Sequence, residues 1–258
     1  MKYVLTFLFL LTFSPVWAKE TDPKAGLTLV WADEFDYPDA QLDENWNSQN
    51  GPSGHILCSR WRENASVKDG TLRLQNRKET RAGQDWTSAS IWSKKRFMYG
   101  YFECRYRYAA ATGTNNSFWF MTTQNLTRPD GQPVPEGAKR FEIDVNEGHF
   151  PGEVNMNVHN WSDVTVKNGK KTHPTSHQSW LPEGNPNLAE EFHTYGLLWT
   201  ENELVFYFDG QEIRRMPNKF CFSEAPIYLS EAIIRWAGEV TDAIDGTYME
   251  VDYVRVYQ

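Results

Sequence analysis

Cysteine is nearly missing from this chain. Cys58, Cys104 and Cys221 are the only three in 258 residues, and no CxxC or Cys/His ligand spacing occurs. That excludes a thiolate metal centre and a scaffold held by several disulfides. Three thiols still allow one bridge and one free thiol, and the sequence leaves the pairing open. Basic residues are short as well: 26 Lys and Arg against 34 Asp and Glu, a formal charge of −8. Such a chain has no broad cationic surface for a phosphate backbone, which excludes nucleic acid as a partner. Long amphipathic helical patterns are missing, as are internal repeats and low-complexity tracts.

One apolar run stands out, at the start. MKYVLTFLFLLTFSPVWA carries Lys2, an apolar stretch from Tyr3 to Phe13, and Val16-Trp17-Ala18 with small residues where a signal peptidase reads. The run is too short to span a bilayer. The expectation is a cleaved leader over residues 1–18, with residues 19–258 forming one secreted or periplasmic domain that has no membrane anchor.

What is abundant is aromatic: 11 Trp, 12 Tyr and 15 Phe. Most such rings build cores, because they bury much apolar area; a few exposed Trp would instead serve as platforms for a flat apolar ligand such as a sugar ring. Short stretches of period-2 alternation dominate the rest, among them LTLVWADEF, ASVKDGTLRLQNR, MYGYFECRYRY, NSFWFMTT, RFEIDVNE, EVNMNVHNW, FHTYGLLWT, ELVFYFDGQEI, PIYLSEAII and YMEVDYVRVYQ. Turn signals at Lys68-Asp69-Gly70 and Asp209-Gly210 separate pairs of them. The pattern predicts an all-β antiparallel sandwich. Asn125 to Lys139, rich in Pro and Gly, is the main long loop and leads into RFEIDVNE, where it is expected to shape a site.

FEIDVNE is the unusual stretch. In a strand, residues two apart share a face, so Glu142 and Asp144 point one way and Phe141, Ile143 and Val145 the other. Strict alternation would turn Glu147 into the core, where an unpaired carboxylate costs several kcal/mol. One extra residue, a β-bulge between Asp144 and Glu147, returns Glu147 to the side of the other two acids. Two glutamates facing one groove suit glycoside hydrolysis, which in its retaining form needs carboxyl groups roughly 5 Å apart. A calcium loop would instead set Asp, Asn and Gly in turns; here the acids alternate with Phe, Ile and Val. Asn155, Asn157, His159 and Trp161 likewise share one face of EVNMNVHNW, opposite Val154, Met156 and Val158. That row of amides, imidazole and indole suits sugar hydroxyls and a sugar face better than a core.

At this point a resemblance enters. FEIDVNE resembles the bulged ExDxxE signature of glycoside hydrolase family 16. LVWADEFD, WRENASVKDGTLRLQ, SASIWSKKRFMYGYFECRYR, SFWFM, FHTYGLLWTENELVFYFDGQEI and MEVDYVRVYQ resemble that family's other blocks, in order over nearly the whole chain. The resemblance implies a jelly-roll, concanavalin A-like sandwich with a concave catalytic cleft, and a retaining, endo-acting hydrolase of a β-linked polysaccharide that works as a monomer. Carried over by position, Glu142 is the nucleophile, Asp144 its assistant and Glu147 the general acid/base. Trp119 matches an aromatic that stacks under the sugar, and His159 a histidine on the neighbouring strand. No cofactor is implied for catalysis. Relatives often hold a structural calcium, for which Glu34 and Asp252 are the matching acids.

Members acting on β-1,3-glucans usually carry Trp-Pro and Gly ahead of the catalytic Glu, whereas this chain has Lys139 and Arg140 there. With SEAIIRWAGEV, that departure favours members acting on red-algal galactans of the agar, porphyran, carrageenan or furcellaran class. A sulfated galactan would need local cations. Arg62, Arg140 and Arg235 are candidates, with Arg60 and Arg128 beside them; Trp236 next to Arg235 offers a combined stacking and anion subsite. The alternatives are an endo-β-1,3(4)-glucanase, a transglycosylase using the same acids, and a non-catalytic carbohydrate-binding jelly roll.

Overall fold

The computed structural model describes residues 22–258; the expected leader at residues 1–18 lies outside them. Two large antiparallel sheets dominate the described residues, with two small two-stranded sheets beside them. One has the strand order Thr175–Trp180, Val154–Asn160, Phe141–His149, Thr114–Met121, Ala225–Ile233, Ser90–Phe97 and Trp46–Ser48. The other runs Gln211–Pro217, Glu203–Phe208, His193–Trp199, Gly100–Arg107, Tyr248–Tyr257, Thr71–Gln75 and Ala65–Lys68, with Leu29–Asp33 pairing onto Tyr248–Tyr257 as well. No helix among the described residues is long and apolar enough to cross a membrane.

Alternation sets which face turns inward. Phe118, Phe120, Phe141, Ile143, Val158, Ile227 and Leu229 are all buried in one core cluster. Each buries a side chain worth about 2 kcal/mol, so a one-residue slip of any of these strands would expose several at once. Aromatic rings pack between and within the sheets: Phe102 meets Phe120 of the opposite sheet edge-on with centroids 4.9 Å apart, and Tyr106 stacks on Tyr195 of the neighbouring strand at 4.1 Å. The two turn signals close two-residue hairpins. Asp69 and Gly70 have φ of 55° and 75°, and Asp209 and Gly210 have 48° and 81°. Positive φ at both central positions matches the twist of the flanking strands.

Several expectations need correction. All three cysteines are free and buried, so no bridge forms among them. Glu34 and Asp252 do not make a cation site. Arg255 forks onto Glu34 with Nε and Nη2 at 2.8 and 2.9 Å, and Arg105 Nη1 donates to Asp252 Oδ2. A divalent ion would have to displace both guanidinium groups, and among the described residues neither acid joins a wider group of His, Cys, Asp or Glu at ligand spacing. The Asn125–Lys139 loop does not border the cleft described below. It lies against residues 220–224, through Thr127 N–H donating to Ser223 Oγ at 2.9 Å and Lys139 N–H to the Phe220 carbonyl at 3.1 Å.

Candidate active site

Glu142, Asp144 and Glu147 face one cleft of about 430 Å³ on the outer face of the seven-stranded sheet. The strand geometry explains how. Asp144 pairs with Trp119 and Asn146 with Phe118, so Val145 is an extra residue with no partner on the neighbouring strand. Past this bulge Glu147 lies opposite Ser117, on the cleft side. The cost of the irregularity is a buried amide, Asn146, and it is satisfied. Its Nδ2 donates to the Tyr106 and Tyr108 hydroxyls at 2.6 and 2.8 Å, and its Oδ1 accepts from Asn155 N–H at 3.2 Å. Gly148 follows because a Cβ there would lie 2.3 Å from the Tyr108 ring.

Each acid has its own holders. Trp161 Nε1–H donates to Glu142 Oε2 at 2.8 Å. Asn115 Nδ2 donates to Glu147 Oε1 at 2.8 Å and Asn157 Nδ2 to Oε2 at 2.7 Å. His159 Nε2 lies 3.2 Å from Asp144 Oδ2. Ligand atoms of Glu142, Asp144 and His159 all lie within 4.8 Å of one another. Two carboxyl groups that close cannot both ionise cheaply. Burial first, and then the Asp144 charge, push Glu142 up to about 8, against the opposing pull of His159 and the Trp161 N–H. Burial followed by the Glu147 charge pushes Asp144 well up too. Asp144 is the more deeply buried of the two, and the pair retains one proton between them.

Of the other expected residues, Trp119, His159, Trp161 and Trp236 line the cleft. Trp119 is fixed by Nε1–H donation to Ser230 Oγ at 3.0 Å and by stacking on Tyr228 at 4.2 Å. Trp236 is 65% exposed, as a free platform must be. Asn155 and Asn157 do not line the cleft. Both are buried and spent on Glu147: Asn155 Nδ2 donates to the Glu147 carbonyl at 3.0 Å, and Asn157 holds the carboxylate while its Oδ1 accepts from His177. Arg62 is turned away, bonded to Asp43 Oδ1 and the carbonyls of Asp39 and Ala65. Arg140 stands outside the cleft beside Ser162, whose hydroxyl accepts its backbone N–H. Arg128 pairs with Asp130. Arg235 lines a separate polar pocket with Lys78, Asp85 and Asp242, so stacking and anion binding are not combined at Arg235 and Trp236.

Sequence reasoning missed Asn115, Ser230 and His55. His55 comes to the cleft from the irregular segment 51–57, and Arg60 from the short strand Cys58–Arg60 that follows it. Arg60 is nine-tenths buried; its Nε donates to the Glu231 carbonyl at 3.3 Å, and its other N–H groups have no partner among the described residues. The signal for Asn115 was present in NNSFWFM, where it shares the face of Ser117 and Trp119. For His55 there was none.

The arrangement provides one charged carboxylate, one neutral neighbour and a third carboxyl with two amide donors, in a groove walled by indole rings. It can present a nucleophile to one side of an acetal carbon and a proton donor to the leaving oxygen. Comparison with known proteins points the same way. The sequence profile of the β-porphyranase A–D GH16 domain matches residues 29–258. The κ-carrageenase of Pseudoalteromonas carrageenovora is 28% identical over 263 residues, covering 88% of this chain and 63% of that protein. A β-glucanase of Rhodothermus marinus is 29% identical over 261 residues, covering 89% of this chain and 85% of that one. The crystal structure of the Pseudoalteromonas carrageenovora κ-carrageenase with a κ-carrageenan oligotetrasaccharide superposes with a TM-score of 0.68 at 26% identity, covering 95% of this chain and 99% of that chain. The chain therefore spans less than two thirds of the carrageenase's full length but nearly all of its crystallised domain.

Proposed function

Since the chain belongs to glycoside hydrolase family 16, we propose that it cleaves a β-linked red-algal galactan internally, by double displacement with retention. Glu142 attacks the anomeric carbon and forms a glycosyl ester, while Glu147 gives its proton to the departing glycosidic oxygen. Glu147 then takes a proton from water, the water oxygen bonds to the anomeric carbon, and Glu142 leaves as carboxylate. Asp144 keeps the shared proton beside Glu142, so the nucleophile is charged when sugar displaces water. Trp119 and Trp161 flank the reacting ring.

One observation carries this reading. The bulge at Val145 brings Glu147 into the cleft of Glu142, and each glutamate is held there by its own N–H donors. A carbohydrate-binding module has no use for two oriented glutamates around a backbone irregularity that needs a buried amide to support it.

For the substrate, the porphyranase-type profile and the carrageenase relative favour a galactan carrying sulfate esters. Arg60 supports that choice, since its buried guanidinium borders the cleft with unpartnered N–H groups, and guanidinium forks suit sulfate as they suit phosphate. The second reading is an endo-β-1,3(4)-glucanase, favoured by the long alignment with the Rhodothermus marinus enzyme. The chemistry needs no metal or cofactor, and the chain is read as a monomer exported by its leader. The test is release of new reducing ends from porphyran, agarose, carrageenans, furcellaran and laminarin, with products identified by mass. Cleavage of laminarin alone would select the glucanase reading. Binding without release from any of them would select a carbohydrate-binding module.

A further inference from the structure

His173 lies outside the strand of acids, between the hairpin Thr165–Lys167/Lys170–Thr172 and the edge strand Thr175–Trp180. Nothing about its sequence position suggests a role. In the fold its Nε2 is 2.9 Å from His159 Nδ1, and its ring stacks on Trp161 with centroids 3.7 Å apart and planes at 30°. Those two neighbours are the residues that touch Glu142 and Asp144. Trp161 donates to Glu142, and the far nitrogen of His159 meets Asp144. A single imidazole thus braces the holders of both acids.

We propose that His173 is a positioning residue that fixes the tautomer of His159 and the pose of Trp161, and so sets which acid of the Glu142–Asp144 pair stays charged. The proposal rests on the reading of those acids given above. A neutral imidazole carries one N–H. For His159 to donate from Nε2 to Asp144 Oδ2, its Nδ1 must be bare and accept a hydrogen bond. The donors within reach are His173 Nε2–H and the Thr175 hydroxyl, each 2.9 Å away. A hydroxyl can donate or accept and selects neither tautomer. His173 in its Nε2–H form can only donate, and selects the one that aims an N–H at Asp144. An N–H aimed at Asp144 Oδ2 leaves only the other Asp144 oxygen or Glu142 to carry the proton that the pair retains.

Two substitutions separate the parts. His173→Phe keeps a ring on Trp161 and removes the donor; His173→Gln restores an N–H donor without the ring. Steady-state kinetics on the substrate that the wild type cleaves should show kcat down about tenfold in His173→Phe, the scale of one lost hydrogen bond to a polar network. KM should stay within about twofold, and most of the loss should return in His173→Gln. Histidine 15N NMR of the full chain supplies a readout independent of turnover: in wild type the His159 proton resides on Nε2, and in His173→Phe it becomes distributed over both nitrogens. An unchanged kcat in His173→Phe, or an unchanged His159 spectrum, would overturn the proposal. Retained turnover in Glu142→Gln would instead sink the assignment of the acids, and the His159 spectrum would then decide the case of His173 alone.

Discussion

Trp161 and Glu142, 19 residues apart in sequence, are joined by an indole N–H to carboxylate hydrogen bond of 2.8 Å. It is the one side-chain hydrogen bond that Glu142 receives among the described residues, and it opposes burial and the Asp144 charge, which together drive that carboxyl toward protonation. Trp161→Phe keeps the ring over His173 and removes the donor. Glu142 then titrates higher, and its charged fraction at a given acidic pH falls. The acidic limb of kcat/KM should move to higher pH, and kcat should drop about 10- to 100-fold, as expected for a hydrogen bond to a charged group worth about 1.5–3 kcal/mol. A pH–rate profile with an unmoved limb would show that the indole only stacks.

Glu142→Gln should lose turnover and gain stability, with a definite pH dependence. Glu142 in the folded chain is pushed up to about 8, above its ordinary value of 4.5. Between those values the folded protein holds a proton that the unfolded chain has released, so wild-type stability falls as pH rises through that window. The amide does not titrate. The variant should therefore melt about 2–5 °C above wild type at pH 8, and the two should converge below about pH 4.5. Calorimetry across pH checks this; a gap that does not change with pH would mean that the carboxyl is not buried as described.

Asn157→Ala removes one of the two amides on Glu147 and leaves His177 Nδ1 without its 2.6 Å partner. A loss of about 1 kcal/mol in chemical denaturation is expected from the two part-buried hydrogen bonds removed. Polysaccharide cleavage should slow more than cleavage of an aryl glycoside, because a good leaving group needs no proton from Glu147. Equal slowing of both substrates would place Asn157 in substrate binding rather than in holding the acid.

The faces of the strands were legible because period-2 alternation is a local property. Phe141, Ile143 and Val145 turn inward, and Glu142, Asp144, His159, Trp119 and Trp161 turn to the cleft side, as their spacing requires. Even the bulge could be read, since Glu147 had no tolerable place in the core. What local spacing could not tell was how far a side chain reaches or which segment folds over it. Asn155 and Asn157 share the face of His159, yet their short side chains end on Glu147 before reaching the cleft. Arg60, Arg62 and Arg140 look alike in sequence; the Asp39 and Asp43 partners that take Arg62 away lie in the short helical segment 39–45. His55 and His173 arrive from irregular segments whose course is set by long-range packing.

Val145 itself gives the sharpest test of how the site is built. It is the unpaired residue of the bulge, and the pairs on either side, Asp144 with Trp119 and Asn146 with Phe118, are those of a regular ladder with that one residue left out. Deleting Val145 should therefore restore strict alternation without shifting the strand beyond it. Glu147 would become the second residue after Asp144 and so face outward, and Asn146 would keep its inward place beneath Tyr106 and Tyr108. The expected outcome is a folded protein, weakened by about 1–3 kcal/mol for the lost valine packing, with reduced but measurable cleavage. Asn146→Ala retains the bulge but strips its support, leaving the Tyr106 hydroxyl and the Asn155 N–H unpaired in the interior. It should cost about 2–4 kcal/mol and lower kcat further than the deletion does. If the deletion abolishes cleavage while Asn146→Ala is nearly silent, Glu147 is held by something other than the parity of its strand.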